Sequence, residues 1–356
     1  MQIENRMNFA FYRSDMVAPV GRNIGIIGAG PSGLAAAGFL AVNGYQVEVY
    51  DKLPKPGGLM VFGIPGSRIP KERILRGANL LERVYGVLFH TRTKVCCSVP
   101  LYEEAGDHFS FDMVGLSDLL DRHDAIMICT GSWKSRKLGI EGEDLAGVYS
   151  SLEFLFPIRA SSFGGANVSV PPVAGRHVVV VGAGHSAMDV AHSARKLGAA
   201  SVSVIYRRTA AEAPCGTFEI HRMVETGCAW MELRTPLRFT GEDGAVRGVE
   251  VKNADGSVEV LPADVVITAI GEIPTPPFAK ELGLENVRKG DVRWLNMTAM
   301  ENVFVAGDVL SGPSKIGQAV YSGLRAARSL TNWLDLKAQH RESEFASDVV
   351  PAPVRR

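Results

Sequence analysis

The sequence predicts an α/β fold made of two domains that share one design, and the design is visible in two stretches. Residues 24–33 (IGIIGAGPSG) form an apolar run that ends in a glycine-rich turn and leads into the helical stretch LAAAGFLAV. Residues 176–197 (RHVVVVGAGHSAMDVAHSARKL) repeat the same order. A further apolar strand follows each helix, at residues 45–50 and 201–206. Strand, tight turn, helix and strand in this order predict a parallel sheet in each domain.

The first turn, Gly28-x-Gly30-x-x-Gly33, has the spacing of a dinucleotide-binding fingerprint. In this fingerprint the first glycine makes the bend, the second lets a pyrophosphate approach, and the third lets the helix pack on the strand. The helix start then offers N–H groups and a positive dipole end to the phosphates. Asp51 follows the next strand, 18 residues after Gly33, where a carboxylate accepts hydrogen bonds from a ribose. A glycine turn in an ordinary α/β domain is the alternative interpretation.

The second turn, Gly182-x-Gly184-x-x-Ala187, predicts a second dinucleotide on the same chain. After the next strand, however, Arg207 and Arg208 stand where the first domain has an acid. A guanidinium fork at this position suits the 2′-phosphate of NADP. If these arginines instead stack on adenine or form a surface ion pair, NAD remains possible. The sequence therefore favours NADP and leaves NAD open.

Composition excludes several classes of function. The chain has 356 residues, enough for two domains, and its 38 basic residues balance 38 acidic ones. We therefore expect no nucleic-acid partner. No apolar run approaches the roughly 18 residues that span a bilayer, and residues 1–23 lack a signal-peptide core. We expect a cytoplasmic protein with no membrane partner.

The five cysteines give no sign of a redox disulfide or of a metal site. They stand at positions 96, 97, 129, 215 and 228, without a C-x-x-C pair or a spacing typical of zinc or iron–sulfur ligands. Cys96 and Cys97 are adjacent, so in a strand they point to opposite faces. We expect most of the five to be buried structural thiols, and we expect no metal centre.

Other segments predict further parts of a ligand site. Residues 52–72 (KLPKPGGLMVFGIPGSRIPKE) form a loop that is unusually apolar, which suggests that it lines a flat ligand; a packed connector is the alternative. The residues expected to line the ligand are Gly57, Gly58, Leu59 and 62–65. Two later apolar strands end in the tight turns Thr130-Gly131 and Gly307-Asp308. A long amphipathic helix follows, and its start near residues 317–319 is positive by its dipole.

With two fingerprints, the ICTG turn, a late VFVAGD and a closing helix, the chain resembles the two-dinucleotide-binding-domain flavoproteins. More closely it resembles the small (beta) subunit of glutamate synthase and its relatives, over roughly residues 20–335. Three motifs are distinctive: GGLMVFGIP (57–65), GAGHSAMDVA (182–191) and YRRTAAEAP (206–214).

The resemblance implies FAD and NAD(P)H as cofactors and indicates the residues that hold them. For FAD it implies Gly28, Gly30, Pro31, Ser32, Gly33, Asp51, Lys52, Gly58, Leu59, Thr130, Gly131, Gly307, Asp308, Gln318 and Ala319. For the nicotinamide nucleotide it implies Gly182, Gly184, His185, Ser186, Ala187, Arg207, Arg208 and Gly271. A helix start aimed at the flavin would favour the anionic reduced state.

The resemblance also implies that one domain is inserted into the other. The FAD-binding domain is expected to comprise residues 23–150 and 290–337, with an NAD(P)-binding domain of residues 151–289 between them. An N-terminal arm (1–22) and a flexible tail (338–356) are expected at the two ends.

Two departures from the family pattern stand out. Family members often carry an N-terminal cysteine-rich extension with iron–sulfur clusters, whereas this chain has only a short arm before its first strand. His185 occupies a position where the family usually shows Asp or Asn. This histidine either assists pyrophosphate binding or is a solvent-facing turn residue.

These observations predict an FAD-dependent oxidoreductase that transfers hydride between NAD(P)H and FAD. The cofactors carry this chemistry, so we expect no catalytic acid, base or nucleophile from the protein. Without a cysteine pair or cluster ligands, the chain is expected to exchange electrons with an iron–sulfur subunit. That subunit would belong to a larger redox complex with a larger catalytic subunit, of the glutamate synthase or the aldehyde or sulfide oxidoreductase type. A stand-alone ferredoxin–NADP reductase-like enzyme and a non-catalytic nucleotide-binding structural subunit are the alternatives.

Overall fold

The computed structural model describes residues 9, 17–96, 104–163, 169–274, 278, 282, 298 and 300–345. Most of the predicted N-terminal arm, the end of the predicted tail and residues 290–297 lie outside the described residues, and so does Cys97. The chain divides into two compact units.

Strands and helices alternate along most of the described chain. The strands are β1 (Asn23–Ile27), β2 (Gln46–Asp51), β3 (Leu88–Thr91), β4 (Thr93–Val95), β5 (Asp112–Val114), β6 (Ala125–Ile128), β7 (Lys134–Ser135), β8 (Val148–Ser150), β9 (His177–Val181), β10 (Ser201–Tyr206), β11 (Ala229–Glu232), β12 (Thr235–Glu242), β13 (Ala245–Lys252), β14 (Val258–Pro262), β15 (Val265–Thr268), β16 (Glu272–Ile273) and β17 (Val303–Val305). The helices are α1 (Pro31–Val42), α2 (Leu59–Phe62), α3 (Lys71–Tyr85), α4 (Leu116–Arg122), α5 (Ser151–Ala160), α6 (His185–Lys196), α7 (Thr217–Glu225), α8 (Asp308–Ser311) and α9 (Ile316–Ala338).

The first unit comprises Met1–Val61, Ile69–Lys134 and Ile273–Arg356. Its parallel sheet has the strand order β17-β6-β1-β2-β3, so the strand that precedes the first glycine turn lies at the centre. The last four residues of β1 are buried. Burial of a continuous apolar run is the pattern expected for a parallel strand that is covered on both faces.

The second unit comprises Phe62–Arg68 and Ser135–Glu272. Its main sheet is also parallel, with the order β11-β10-β9-β15-β8. Strands β12, β13 and β14 form an antiparallel sheet in which two hairpin turns connect consecutive strands. Asp243 and Gly244 in the first of these turns have φ of 51° and 75°. Such left-handed values are typical of the tight turns that match the twist of a hairpin.

These units confirm the predicted fold class of two α/β domains, one inserted into the other. The chain passes between the units after residues 61, 68, 134 and 272, and the last two points precede the predicted boundaries at 150 and 289. The earlier position of the first boundary has a physical reason, since β8 pairs with β15 and α5 contributes Phe154 and Leu155 to the core of the second unit.

A polar cluster surrounds Glu48 in the first unit. One carboxylate oxygen of Glu48 accepts a hydrogen bond from the Asn23 amide at 3.1 Å, and the other accepts one from the Tyr50 hydroxyl at 2.9 Å. The second oxygen also lies 2.8 Å from Nε2 of His90. Partial burial of Glu48 opposes its ionisation, but the hydrogen bonds from Asn23, Tyr50 and His90 hold the pKa of its carboxyl below the ordinary value. The ionised form of Glu48 therefore stabilises the folded state.

We expect Glu48→Gln to lower the free energy of unfolding at neutral pH by roughly 1.5 kcal/mol, the lower end of the range for one hydrogen bond to a charged group. Because the pKa of Glu48 is lowered in the folded state, its carboxylate stabilises the fold fully at pH values above the ordinary glutamate pKa of about 4.3. This stabilisation is lost as the pH falls through the lowered pKa of the folded protein. Urea unfolding at several pH values measures the effect. The variant should lose part of the acid dependence of the wild type. The control Asp144→Asn, whose side chain is 89% exposed, should leave the unfolding curve unchanged. Identical acid dependence in the wild type and Glu48→Gln would contradict this account.

Candidate functional site

The first turn is built by close backbone packing that only glycine permits. Gly28 has φ of 103°, and a Cβ on it would lie 2.5 Å from the carbonyl oxygen of Cys129. A Cβ on Gly33 would lie 1.9 Å from the carbonyl oxygen of Gly28. In contrast, nothing lies within 4 Å of the position of a Cβ on Gly30. The turn is therefore tight where it meets the sheet and open where α1 begins, at Pro31.

Asp51 lies at the end of β2, next to this turn. Its carboxylate accepts hydrogen bonds from the backbone N–H groups of Ala29 at 2.6 Å and Leu53 at 2.8 Å. Burial raises the pKa of Asp51, and these two hydrogen bonds oppose the rise. A carboxylate accepts about four hydrogen bonds, so two donors leave capacity for the hydroxyls of a ribose.

Lys52, which the resemblance assigns to the FAD site, is engaged elsewhere. Its ammonium group lies 2.9 Å from carboxylate oxygens of Glu104 and of Asp107 and 4.2 Å from the ring centre of Trp133. The ammonium group of Lys52 is thus paired with carboxylates of the protein, and a cation paired in this way is poorly suited to bind a phosphate directly. The assignment of Lys52 to the FAD site stays a prediction that rests on its position after Asp51.

Thr130 and Gly131 follow β6 and lie beside the first turn, since the Cβ position of Gly28 is 3.0 Å from Cα of Thr130. Gly131 has φ of 78°. The indole N–H of Trp133 donates to the carbonyl oxygen of Thr130 at 2.7 Å. Within the described part of the chain, the buried hydroxyl of Thr130 has no hydrogen-bond partner.

The strand β17 brings Gly307 and Asp308 to the same region. A Cβ on Gly307 would lie 2.6 Å from the hydroxyl oxygen of Ser32. The carboxylate of Asp308 accepts hydrogen bonds from the hydroxyl and from the backbone N–H of Ser314, the latter at 3.1 Å. The backbone carbonyl of Asp308 accepts one from the hydroxyl of Ser132 at 2.7 Å. Asp308 thereby orders the chain that leads into α9.

The remaining residues predicted for FAD lie at helix starts. At the start of α9, Gln318 is exposed and its side-chain oxygen accepts the N–H of Lys315 at 3.1 Å, while Ala319 is buried. Leu59 begins α2 directly after Gly58, whose Cβ position lies 2.9 Å from Cα of Gly30. The first unit thus brings these predicted residues together around the carboxyl ends of its strands.

Sequence reasoning missed the contacts that bring α9 to the turn. A Cβ on Gly323 would lie 2.1 Å from the carbonyl oxygen of Ser32, and the hydroxyl of Ser322 accepts the N–H of Gly307 at 2.9 Å. The signal that could have found them is the series of small residues at 319, 323, 326 and 327 in this helix.

The second unit repeats the geometry of the first turn. Gly182 has φ of 132°, and a Cβ on it would lie 2.3 Å from the carbonyl oxygen of Ala269, while the Cβ position on Gly184 is open. Gly271, with φ of 97°, follows Ala269 by two residues, as Gly131 follows Cys129 in the first unit. The structure therefore brings Gly271 close to the second turn, and its contact with the nucleotide stays a prediction.

The start of α6 differs from that of α1. Ala187 takes the place of the third glycine and is fully buried. Ser186 is half-buried and His185 is exposed at the first position of the helix.

Arg207 and Arg208 are both exposed at the carboxyl end of β10. The loop that carries them is fixed, because the N–H of Leu233 donates to the carbonyl oxygen of Arg208 at 3.2 Å and Glu212 accepts the N–H and hydroxyl of Thr209. The guanidinium group of Arg207 has no hydrogen-bond or ion-pair partner among the described residues. The edge of this unit thus offers positive charge where the first unit offers Asp51.

Two searches of the described residues were negative. They contain no group of three or more His, Cys, Asp or Glu side chains that could hold a metal ion. Among the same residues, no helix is both long and apolar enough to cross a membrane.

Comparison with known proteins identifies the family. A match to the pyridine nucleotide-disulphide oxidoreductase family covers residues 22–323. The chain belongs to this family. It is 34% identical over 346 residues to the glutamate synthase [NADPH] small chain of Azospirillum brasilense, which covers 90% of this chain and 68% of the relative. It is 32% identical over 352 residues to the corresponding chain of Halomonas elongata, covering 91% of this chain and 71% of the relative. The resemblance to glutamate synthase small chains is confirmed.

Two solved structures show the same fold. FprA from Mycobacterium tuberculosis in complex with NADPH superposes with a TM-score of 0.70 at 20% identity, covering 92% of this chain and 89% of FprA. Thioredoxin reductase from Lactococcus lactis gives a TM-score of 0.63 at 21% identity, covering 88% of this chain and 99% of the reductase. At these identities the similarity concerns the fold alone.

Family membership confirms the predicted enzyme class and cofactors: the chain is an FAD-dependent NAD(P)H oxidoreductase. The first turn fits a bound dinucleotide. The open space at Gly30 would admit a pyrophosphate, and Asp51 retains acceptor capacity. The buried hydroxyl of Thr130, unpartnered within the described part of the chain, could hydrogen-bond to a ligand. The assignment of individual residues to FAD and to the nicotinamide nucleotide stays a prediction.

We expect Gly30→Ala to weaken FAD binding at least about tenfold, or roughly 1.4 kcal/mol, without destabilising the cofactor-free protein. Gly30 has φ of −73°, which alanine adopts freely, and its Cβ position meets no protein atom. Only a ligand in that space would meet the new methyl group. Titration of the cofactor-free protein with FAD and thermal unfolding of the same sample measure the two effects.

Gly33→Ala is the matched comparison, because its Cβ would clash with the carbonyl oxygen of Gly28. This variant should unfold at a lower temperature even without FAD. Unchanged FAD affinity in Gly30→Ala would show that the pyrophosphate does not lie at this turn.

Proposed function

We propose that this chain transfers hydride between NADPH and FAD and exchanges electrons with an iron–sulfur subunit of a larger redox complex. The observation that carries the proposal is the pair of glycine turns, one beside an acid and one beside two arginines, on a single chain. Two dinucleotide sites of opposite charge suit one resident flavin nucleotide and one phosphorylated nicotinamide nucleotide.

Bound FAD would supply the redox chemistry, taking up hydride and giving electrons to one-electron or two-electron acceptors. The protein contributes binding and orientation. In this proposal Asp51 holds the ribose, the N–H groups after Gly28 hold the pyrophosphate, and the start of α9 near Gln318 and Ala319 stabilises negative charge on the reduced flavin. No protein side chain needs to act as acid, base or nucleophile.

Three of the four described thiols do not suit the disulfide reduction that the family name includes. Cys129 is 3% exposed, and burial raises the pKa of its thiol to about 12. Burial also raises the thiol pKa of Cys215 and of Cys228. A reactive cysteine needs access to solvent and a lowered pKa, so these thiols are poor nucleophiles at neutral pH. This supports transfer of electrons to a partner rather than to a disulfide of the chain itself.

The names of several relatives support a partner subunit. They include the NADP(+)-dependent formate dehydrogenase subunit beta of Moorella thermoacetica, 32% identical over 88% of this chain and 44% of the relative. The NADPH-Fe(3+) oxidoreductase subunit beta of Geobacter sulfurreducens is 28% identical over 92% of this chain and 52% of the relative. Those proteins are subunits, and we extend to this chain the role of a subunit with a larger catalytic partner. A cytoplasmic location belongs to the same proposal, since the described cysteines are free thiols.

Replacement of Arg207 and Arg208 by alanine should raise the Kd for NADPH at least about tenfold and the Kd for NADH less than about threefold. The reason is that only NADPH carries the 2′-phosphate that a guanidinium fork binds. Flavin reduction at a series of nucleotide concentrations measures both constants. Arg176→Ala is the control, because Arg176 is exposed in the same unit but directly precedes β9, at the opposite end of the strand from the turn. Equal losses for both nucleotides would contradict 2′-phosphate recognition.

We expect anaerobic NADPH to bleach the flavin of the purified chain, and a one-electron acceptor such as ferricyanide to restore its colour. Oxidised thioredoxin and small organic acceptors should restore it far more slowly, because the chain lacks a reactive thiol pair among its described residues. Rapid reoxidation by such an acceptor would favour a stand-alone reductase. If FAD is bound but neither NADPH nor NADH bleaches it, the result would favour a structural subunit.

A further inference from the structure

Arg68 joins two helices of the second unit through two carboxylates. Its Nε donates to the carboxylate of Asp189 on α6. Its two terminal nitrogens donate to the two oxygens of Glu219 on α7, at 3.1 and 2.6 Å. The guanidinium therefore uses its two edges on two different partners, a geometry that lysine does not offer.

All three side chains are largely withdrawn from water. The side chains of Arg68, Asp189 and Glu219 are 26%, 10% and 14% exposed. The hydrogen bonds from Arg68 hold the pKa of Glu219 below its ordinary value. Burial raises the pKa of Asp189, and Arg68 opposes this rise. Arg68 is thus the cation that neutralises the negative charge of both carboxylates.

The two carboxylates lie near the second glycine turn. Asp189 is the fifth residue of α6, which begins at His185 directly after Gly184. Glu219 is the third residue of α7, and the proximity of His185 contributes to its lowered pKa. Cys215, just before α7, donates its N–H to the carbonyl oxygen of Ala183 within the turn at 3.1 Å. α6 therefore begins at the turn, and α7 is tied to the turn through Cys215, two residues before the helix starts.

The segment that carries Arg68 is fixed to the same unit. Phe62 is fully buried, with its ring centre 6.2 Å from that of Phe156 and 4.7 Å from that of Phe163. A Cβ on Gly66 would lie 2.8 Å from the guanidinium of Arg159 on α5. The expectation that Phe62 lines a flat ligand is thus wrong, because its ring fills a gap against α5. The segment Phe62–Arg68 instead places Arg68 in contact with α6 and α7.

We propose that Arg68 is a positioning residue for the nicotinamide nucleotide, in that it neutralises Asp189 and Glu219 and so keeps the start of α6 attractive to the pyrophosphate. The inference rests on the proposed function, which assigns the nicotinamide nucleotide to this turn. A pyrophosphate is doubly negative, and two uncompensated carboxylates next to its site would oppose the helix dipole that attracts it. Arg68 lies in the loop of residues 52–72, which its apolar sequence predicts to line a flat ligand.

The deciding experiment compares binding of NADP⁺ and NAD⁺ to the flavin-loaded wild type and to Arg68→Met by titration calorimetry. We expect Arg68→Met to bind both nucleotides at least about tenfold more weakly, with the ratio of the two Kd values unchanged, because both carry the pyrophosphate. An unchanged ratio distinguishes the role of Arg68 from that of Arg207 and Arg208, because loss of those two arginines should change the ratio of the Kd values for NADP⁺ and NAD⁺. The defect should shrink as salt concentration rises, because salt screens the repulsion. Flavin reduction at saturating NADPH should stay within about threefold of the wild-type rate.

Charge rescue distinguishes repulsion from loss of packing. The triple variant Arg68→Met, Asp189→Asn, Glu219→Gln removes all three charges while keeping similar side-chain volumes. It should recover nucleotide binding to within about threefold of the wild type. The control Arg222→Met removes a cation that also faces Glu219, at 3.9 Å, but whose side chain is 55% exposed. It should leave both Kd values unchanged within about twofold, since exposed pairs contribute little.

Glu219→Gln alone provides a test if Arg68→Met does not fold. This variant keeps an acceptor for Arg68 but leaves one extra positive charge, so NADP⁺ should bind two- to threefold more tightly, by about 0.5 kcal/mol. Unchanged or weaker binding in Glu219→Gln, or wild-type affinity in a folded Arg68→Met, would overturn the role of Arg68. If the wild type itself binds neither NADP⁺ nor NAD⁺, the proposed function fails instead.

Discussion

The close approach of a carbonyl oxygen to the first glycine of each turn is the constraint on which both units depend. The carbonyl of Cys129 meets Gly28 in the first unit, and that of Ala269 meets Gly182 in the second. The backbone pairing around them is also the same, since Gly28 donates to Tyr50 and Gly182 donates to Ile205, each in the neighbouring strand. This packing presses the turn onto the sheet and leaves the start of the following helix open, which is where a pyrophosphate binds.

The two turns differ in the groups around them rather than in their backbone. The first has buried Asp51 at the end of β2, held by two backbone N–H groups, and α9 packed on it through Gly323. The second has exposed Arg207 and Arg208 at the corresponding strand end. An enclosed site with a fixed carboxylate suits a resident cofactor, whereas an exposed basic edge suits a nucleotide that enters and leaves. The two turns thus share a backbone geometry and differ in the charge and exposure of the groups around them.

Much of the fold was predictable because its signals are local. The spacing of Gly28, Gly30 and Gly33 and the buried strand before them lie within a dozen residues, and the structure confirms the order of strand, turn and helix that they predict. The contacts of Arg68 were not predictable, because its partners lie 121 and 151 residues away along the chain. The pairing of Lys52 with Glu104 and Asp107 is non-local in the same way. A single sequence carries no signal for such pairs, whereas chain topology decides them.

The measurement that tests the account most directly is the number of nucleotides that one chain holds at the same time. The flavin released from the purified protein is quantified, and a second sample is titrated to saturation with NADP⁺ before free and bound flavin are separated. Two independent turns predict one FAD per chain, one further NADP⁺ per chain, and full retention of FAD at saturation. Displacement of FAD by NADP⁺, or saturation at one nucleotide in total, would contradict the account by showing that only one turn binds a dinucleotide.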